Sequence, residues 1–332
     1  MPVASVDTSA GHADFAYTIS TPTEATARVI DESLPTVLFL HGLFGDGTLF
    51  HGQFSDPSVR RFNCVVLDLR DHGKTKNDKI PKGYGPQQAG EDISAFMDAA
   101  ALPPCHVLAA GFGTIFAVAL AVLHPEKVKS LTLLSTIAHA EPEFVIDGRR
   151  EIAVIWKSAY EHNPPDDTAL RDAVFGARQL GFNKTPSLLS ALTSHSLPIC
   201  FETWHPERFD SYEHITLDFL ADFKGWTDEE LRRIKCPVQL GQGADDIAYS
   251  TEYITSFKDQ LTAAGVDVRL EIVPGAPNSL WVTHSKEVNE MFTSFVKEVD
   301  GDLPAAPKKV VSPWKELLAS HGLVPSDEEE EL

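Results

Sequence analysis

With 332 residues, 43% of them hydrophobic, the chain can bury a large core, as one α/β unit carrying an insertion or as two domains, and disorder is excluded for most of its length. A formal net charge of -20 argues against a nucleic-acid or anionic-membrane surface, which needs basic patches, and points to small molecules as partners. Cys64, Cys105, Cys200 and Cys236 are widely spaced, without a CxxC pair or a metal-type His spacing, so they read as buried thiols of a reducing compartment and no metal is expected.

The N-terminal stretch "MPVASVDTSAGHADFAYTIS" has neither a basic start nor an apolar core, so no secretory signal is expected and the reading is cytoplasmic. Strand-length apolar runs follow in order: "PTVLFLHG", "NCVVLDLRDHG", "CHVLAAG", "VKSLTLLS", "CPVQLGQG" and "VRLEIVPG". Runs without polar alternation suit strands buried on both faces, and their alternation with helical stretches predicts an α/β fold, a doubly wound, mostly parallel sheet. The apolar stretch Phe112 to Leu123 is shorter than the roughly 20 residues of a membrane span and reads as a core helix.

Residues 140–230 break this rhythm. They are helical in pattern and rich in aromatics, among them Trp156, Tyr160, Phe201, Trp204 and Tyr212, and read as a largely helical lid over the carboxyl ends of the strands, where open α/β sheets bind ligands. The expected organisation is a core over 1–139 and 231–299, the lid over 140–230, and an extension over 300–332. In that extension, Pro313, Trp314, Leu317, Leu318 and Leu323 suggest a short amphipathic helix with Gly322 near its end, docked on its own domain. Contact with a second copy, giving a homodimer, is the alternative. The closing acidic run reads as a solvated tail.

Several ordered motifs over residues 14–299 resemble the α/β-hydrolase fold. "LFLHGLFGDG" resembles the His-Gly oxyanion loop, "VVLDLRDHGKT" the D-x-R-G-H-G-x-S stretch with Asp71 in place of its first Gly, and "HVLAAGFGTIFAVALAVLHPEKV" the nucleophile elbow and its helix. "CPVQLGQGADD" resembles the strand that delivers the catalytic acid, and "VPGAPNSLWVTHSKEVNEMFTSFV" the histidine loop and last helix.

The resemblance places Gly111 where the family carries its nucleophile and Asn278 where it carries its histidine, leaving only the acid position filled, by Asp246. Gly111 has no attacking atom, and an amide does not shuttle protons near neutral pH. An elbow residue is forced to positive φ, which glycine adopts without steric cost, so the exchange removes chemistry while relaxing the turn. The family's oxyanion hole falls by position on the backbone N–H groups of Leu43 and Phe112, with His41 and Gly42 as the supporting loop. Such donors do not depend on side-chain identity and stabilise a carbonyl oxyanion by about 2.7 to 4 kcal/mol each.

Asp246 is expected to orient a polar group or act as a base, Asn278 to fix a ligand or cap a helix, and His41 to brace its loop. His72 reads as a turn residue. Thr114, Ser135 and His284 are weak substitutes for the missing groups. Three functions remain: a cofactor-independent, non-hydrolytic enzyme (cyclase, isomerase or lyase) of biosynthesis acting on an apolar carbonyl compound, a ligand-binding or scaffold protein, and a residual hydrolase that uses water directly. No cofactor is expected.

Overall fold

The computed structural model describes residues 2–179, 181–182 and 187–324. Nine strands pair into one sheet among them: β1 (Val3–Thr8), β2 (Gly11–Ser20), β3 (Thr36–Leu40), β4 (Asn63–Leu67), β5 (Lys76–Asn77), β6 (Cys105–Ala110), β7 (Val128–Leu134), β8 (Val238–Gly243) and β9 (Val268–Val273). Their order is β1-β2-β4-β3-β6-β7-β8-β9, with β5 on the flank of β2. From β4 to β9 all pairings are parallel, and β1, β2 and β5 add an antiparallel end. This is the α/β, mostly parallel arrangement that the apolar runs predict.

The central strands β3, β4, β6 and β8 are buried at every residue, because helices cover both faces. Two features depart from the sequence reading. β1 and β2 are not marked by uninterrupted apolar runs, since β1 alternates exposed and buried residues at the margin of the sheet. "VRLEIV", read as buried on both faces, forms the outermost strand β9; it is largely half-buried because only β8 flanks it.

Between β7 and β8 the described chain is helical. Helices Glu143–Ala159, Asp167–Gln179 and Ser187–Thr203 precede a series of short turns ending at Asp222. Their apolar faces form a core of their own around Trp156, Leu170, Val174, Trp204 and Tyr212, reached from below by Phe44. That cluster is distinct from the two that flank the sheet, which the cap also joins through Val145, Ile215 and Phe219 on one side and Ala191 and Leu192 on the other.

After the helix Ser285–Asp300 the chain crosses back, and the short helix Lys315–Ser320 lies against its own fold. Trp314 packs on Phe54 with ring centroids 4.8 Å apart, Leu318 is fully buried, and Ser312 Oγ pairs with His51 Nδ1 at 3.0 Å. The acidic run read as a solvated tail lies outside the described residues. Among the described residues no helix is long and apolar enough to cross a membrane. The four cysteines are free and buried, and burial pushes each thiol up to about 12.

Candidate functional site

The site begins where β6 ends. After Ala110 the chain turns through Gly111 at φ 50°, its N–H bonded to the Leu134 carbonyl at 2.9 Å, and enters the helix Gly113–Leu123. The turn is tight enough that a Cβ on Gly113 would stand 2.5 Å from the Leu40 carbonyl oxygen, so only glycine fits there. At Gly111 the constraint is the left-handed backbone and not space, because a Cβ would meet its nearest neighbour, Trp281, at 3.7 Å.

The loop after β3 faces this turn. His41 is fully buried and accepts the Leu69 N–H at Nε2 (3.0 Å), which leaves the proton on Nδ1 to donate to the Gly42 carbonyl at 2.8 Å. Burial lowers its pKa and keeps the ring neutral. His41 therefore holds the loop in shape. Beneath it lies His72, which is more than a turn residue: it is buried, donates from Nδ1 to the Arg70 carbonyl, and has its pKa lowered to about 4 by burial and by neighbouring His41. Asp71 takes φ 58°, which accounts for glycine in the motif it resembles; an Asp tolerates this conformation, and its carboxylate is held by Asn77 and Arg208.

Gly42, Leu43, Gly111 and Phe112 line one wall of a cavity of about 110 Å³, with Asn278 and Trp281 beside them. Neither the Leu43 nor the Phe112 backbone N–H donates to another described residue. The cap closes the other side with Val145, Arg149, Ile152, Ala177 and Arg178. Two arginines thus stand among otherwise largely apolar lining residues.

Asn278 and Asp246 meet as their motifs imply, Asn278 Nδ2 donating to Asp246 Oδ2 at 2.9 Å. The same oxygen accepts from Gln242 Nε2 at 2.6 Å, and Oδ1 accepts the Ala248 and Tyr249 N–H groups at 2.8 and 3.0 Å. Burial raises the Asp246 pKa against these four bonds, but the carboxylate's acceptor positions are filled and it stands behind Asn278 instead of at the cavity wall. What reaches the cavity is Asn278, whose Oδ1 accepts from no described residue and whose Nδ2 keeps a second N–H beyond its bond to Asp246.

The alternative hydroxyls are occupied as well. Thr114 Oγ1 donates to the Gly111 carbonyl at 2.6 Å, and Ser135 Oγ donates to the Asn278 carbonyl. His284 pairs with Thr283 and is not part of the wall.

The residues that sequence reasoning missed lie on the cap. Arg149 is held through Nε and a terminal nitrogen by Glu141, both at 2.7 Å, and Tyr249 OH bonds the same carboxylate. Arg178 donates to Thr193 Oγ1, Ser196 Oγ and the Phe44 carbonyl at 2.8, 2.6 and 3.0 Å. A signal was available: Leu170, Val174 and Arg178 recur every four residues, so Arg178 continues the buried stripe of its helix.

A capped, mostly parallel sheet with a strand-turn-helix elbow at its carboxyl edge defines a class of protein. The sequence profile of the alpha/beta hydrolase fold matches residues 35–229, and the chain belongs to that family. Among curated proteins it is similar to the provisionally named carbamate hydrolase RutD of Caulobacter sp. (strain K31), 24% identical over 261 residues that span 79% of this chain and 90% of that one. It is also similar to the pimeloyl-[acyl-carrier protein] methyl ester esterase of Chromobacterium violaceum, 28% identical over 218 residues, 64% of this chain and 76% of that one. Among solved structures, a thermophilic esterase from Thermogutta terrifontis superposes with a TM-score of 0.66 over 90% of this chain and 99% of that one at 16% identity, a likeness of fold.

Proposed function

We propose that this α/β-hydrolase-like protein is a cofactor-independent, non-hydrolytic enzyme that turns over a small carbonyl compound by a cyclase, isomerase or lyase type of reaction. Gly111 takes the place of the nucleophile and Asn278 that of the histidine, so acyl transfer through a serine is replaced by stabilisation of charge on the substrate's oxygen. The observation that carries the reading is the pair of uncommitted N–H groups of Leu43 and Phe112 at one wall of a cavity that Asn278 also reaches. An enolate or a developing oxyanion there would accept both donors, while Asn278 Oδ1 would accept a hydrogen bond from a hydroxyl or enol proton. Asp246 serves this site by positioning: its bond to Asn278 Nδ2 fixes the orientation of that amide.

Donors of this kind retain considerable power without a nucleophile. In triad enzymes stripped of their catalytic side chains, the oxyanion hole and binding still give about 10³ to 10⁴ over water, enough for an intrinsically feasible ring closure or isomerisation. The test is a metabolite comparison of producing cells with and without this protein. A missing product or accumulated precursor supports catalysis; an unchanged profile defeats it and leaves a ligand-binding role.

A further inference from the structure

The cavity wall is at odds with the rest of the molecule in its charge. The chain carries a formal net charge of -20, yet the described residues that line this cavity include two arginines and no Asp or Glu. The two cations differ. Arg149 is neutralised by the bidentate Glu141, whose side chain is fully buried. Arg178 has no carboxylate within ion-pair distance among the described residues, and every partner of its terminal nitrogens is neutral. The carboxylate whose field reaches it, Asp46, is already paired with His195 at 2.9 Å.

Arg178 is about nine-tenths buried, so water contributes little to balancing its charge. A buried guanidinium with no carboxylate in direct contact is costly, and burial of Arg178 accordingly lowers its pKa, with Asp46 acting only at a distance. Arginine stays ionised under such conditions, which leaves the place of a directly contacting anion open to a ligand. The position is specific: Arg178 holds the carbonyl of Phe44, the residue after Leu43, so the charge stands directly beside the oxyanion loop. Trp281, in the same wall, turns its ring edge toward Gly42 and Gly111. The unused polar groups of this site are mainly donors.

We infer that the cavity takes an anionic ligand, specifically a small carbonyl compound bearing a carboxylate, with the carboxylate placed toward Arg178 and the carbonyl oxygen toward the Leu43 and Phe112 donors. This names the substrate class of the reading above and rests on it for the place of the carbonyl. The carboxylate itself is a matter of binding, which can be measured without turnover.

The probes are pyruvate, a carboxylate joined to a ketone and small enough for a cavity of about 110 Å³, and its methyl ester, each titrated against the full chain by ligand-observed proton NMR at millimolar concentration. The acid should bind at least about tenfold more tightly than the ester, as expected when a charge-assisted bond is lost with the charge. Arg178→Met should bring the ratio of affinities to about one, and Arg178→Lys should retain part of the preference because it keeps the charge but not the fork. Gly111→Leu, which fills the cavity from the opposite wall, should abolish binding of both probes. Equal binding of acid and ester, no binding of the acid, a preference that survives Arg178→Met, or binding that survives Gly111→Leu overturns the inference. Should Arg178→Met fail to fold by circular dichroism, the wild-type ratio and the Gly111→Leu result decide. Binding with an unchanged metabolite profile would sink the enzymatic reading alone; a changed profile without acid binding would sink this inference alone.

Discussion

At the sheet edge, Gly42, Leu43, Gly111 and Phe112 meet the cavity on turns that leave little latitude, and their useful groups are main-chain N–H donors. Across the cavity, the cap presents side chains from amphipathic helices: Val145, Arg149 and Ile152 from one, Ala177 and Arg178 from the next. A floor made of backbone keeps its electrostatic character when side chains change, so a glycine at 111 leaves the donors in place. A roof made of side chains is free to change what it admits. On the proposed function, reaction type and selectivity are set by different parts of the chain, and each can be perturbed without the other.

The floor should fail globally when its support is removed. Arg70, in the motif that follows β4, is fully buried and forms a bidentate pair with Asp92, which also accepts from Tyr84 OH. Asp92→Ala leaves that guanidinium without its counter-charge and should cost about 3 to 5 kcal/mol, read as a lower urea midpoint for the whole protein. A loss under about 1 kcal/mol would mean that this end of the sheet is not the rigid member of the comparison.

The roof should fail locally. Leu170 belongs to the cap's own aromatic core, and Leu170→Ala should cost about 2 to 5 kcal/mol of packing there. Since that core is separate from those flanking the sheet, the expected readout is faster hydrogen exchange across 143–179 with β3, β6 and β7 still protected. Equal loss of protection in the sheet would show floor and roof to be one cooperative unit.

A smaller effect comes from protons under the floor. The folded state keeps His72 neutral down to about 4, whereas in the unfolded chain it protonates below about 6.5. Between those values the unfolded state binds the extra proton, so His72 contributes stability that is present above about 6.5 and lost as pH falls toward about 4. Asp68 acts in the opposite sense. Burial and then the charge of Asp46 raise its pKa to about 7, so its stabilising contribution is present below the unfolded value of about 3.9 and lost as pH rises toward about 7. His72→Gln should reduce the slope of stability against pH between 4 and 6.5 by about 1.4 kcal/mol per pH unit, and Asp68→Asn should increase it by about as much. Urea midpoints at several pH values check both signs.

Legibility in the sequence follows the same division. β3, β4, β6, β7 and β8 are largely apolar runs because both faces are covered, with only a few polar members such as Ser130, Thr132, Gln239 and Gln242, and the glycines at 111 and 113 mark positions where a backbone angle or a close approach admits little else. Such constraints act within a few residues and leave a local trace. The pairing of Asn278 with Asp246, 32 residues apart, was reachable only by resemblance to an ordered set of motifs. Arg178 and Glu141 were overlooked because their meaning depends on partners far along the chain. A charged residue on a helix is ordinarily solvated, and only the four-residue spacing from Leu170 and Val174 hinted that this one faces inward. The saturation of Asp246 was likewise invisible, since two of its four partners are backbone N–H groups brought round by the turn at 246–249.

The smallest structural effect, and the sharpest test of a backbone-built floor, is expected at Gly111 itself. Gly111→Ser places a Cβ where neighbours stand 3.7 and 3.9 Å away, so packing is undisturbed and the cost is that of a left-handed L-residue, about 1 to 2 kcal/mol. The new hydroxyl would face the oxyanion donors yet find no base, because Asn278 can accept a hydrogen bond but cannot carry the proton away. Gly111→Ser alone should therefore remain unlabelled by a serine-directed fluorophosphonate. Adding Asn278→His should change that, since Asp246 Oδ2, now 2.9 Å from the Asn278 amide nitrogen, is placed to accept an imidazole N–H and leave the other ring nitrogen facing the serine. Labelling of the double variant only would mean that the floor kept its geometry while losing two atoms of chemistry. Equal labelling of the single variant would place a base elsewhere in the wall, and an inert double variant would mean that Asn278 does not occupy the position proposed for it.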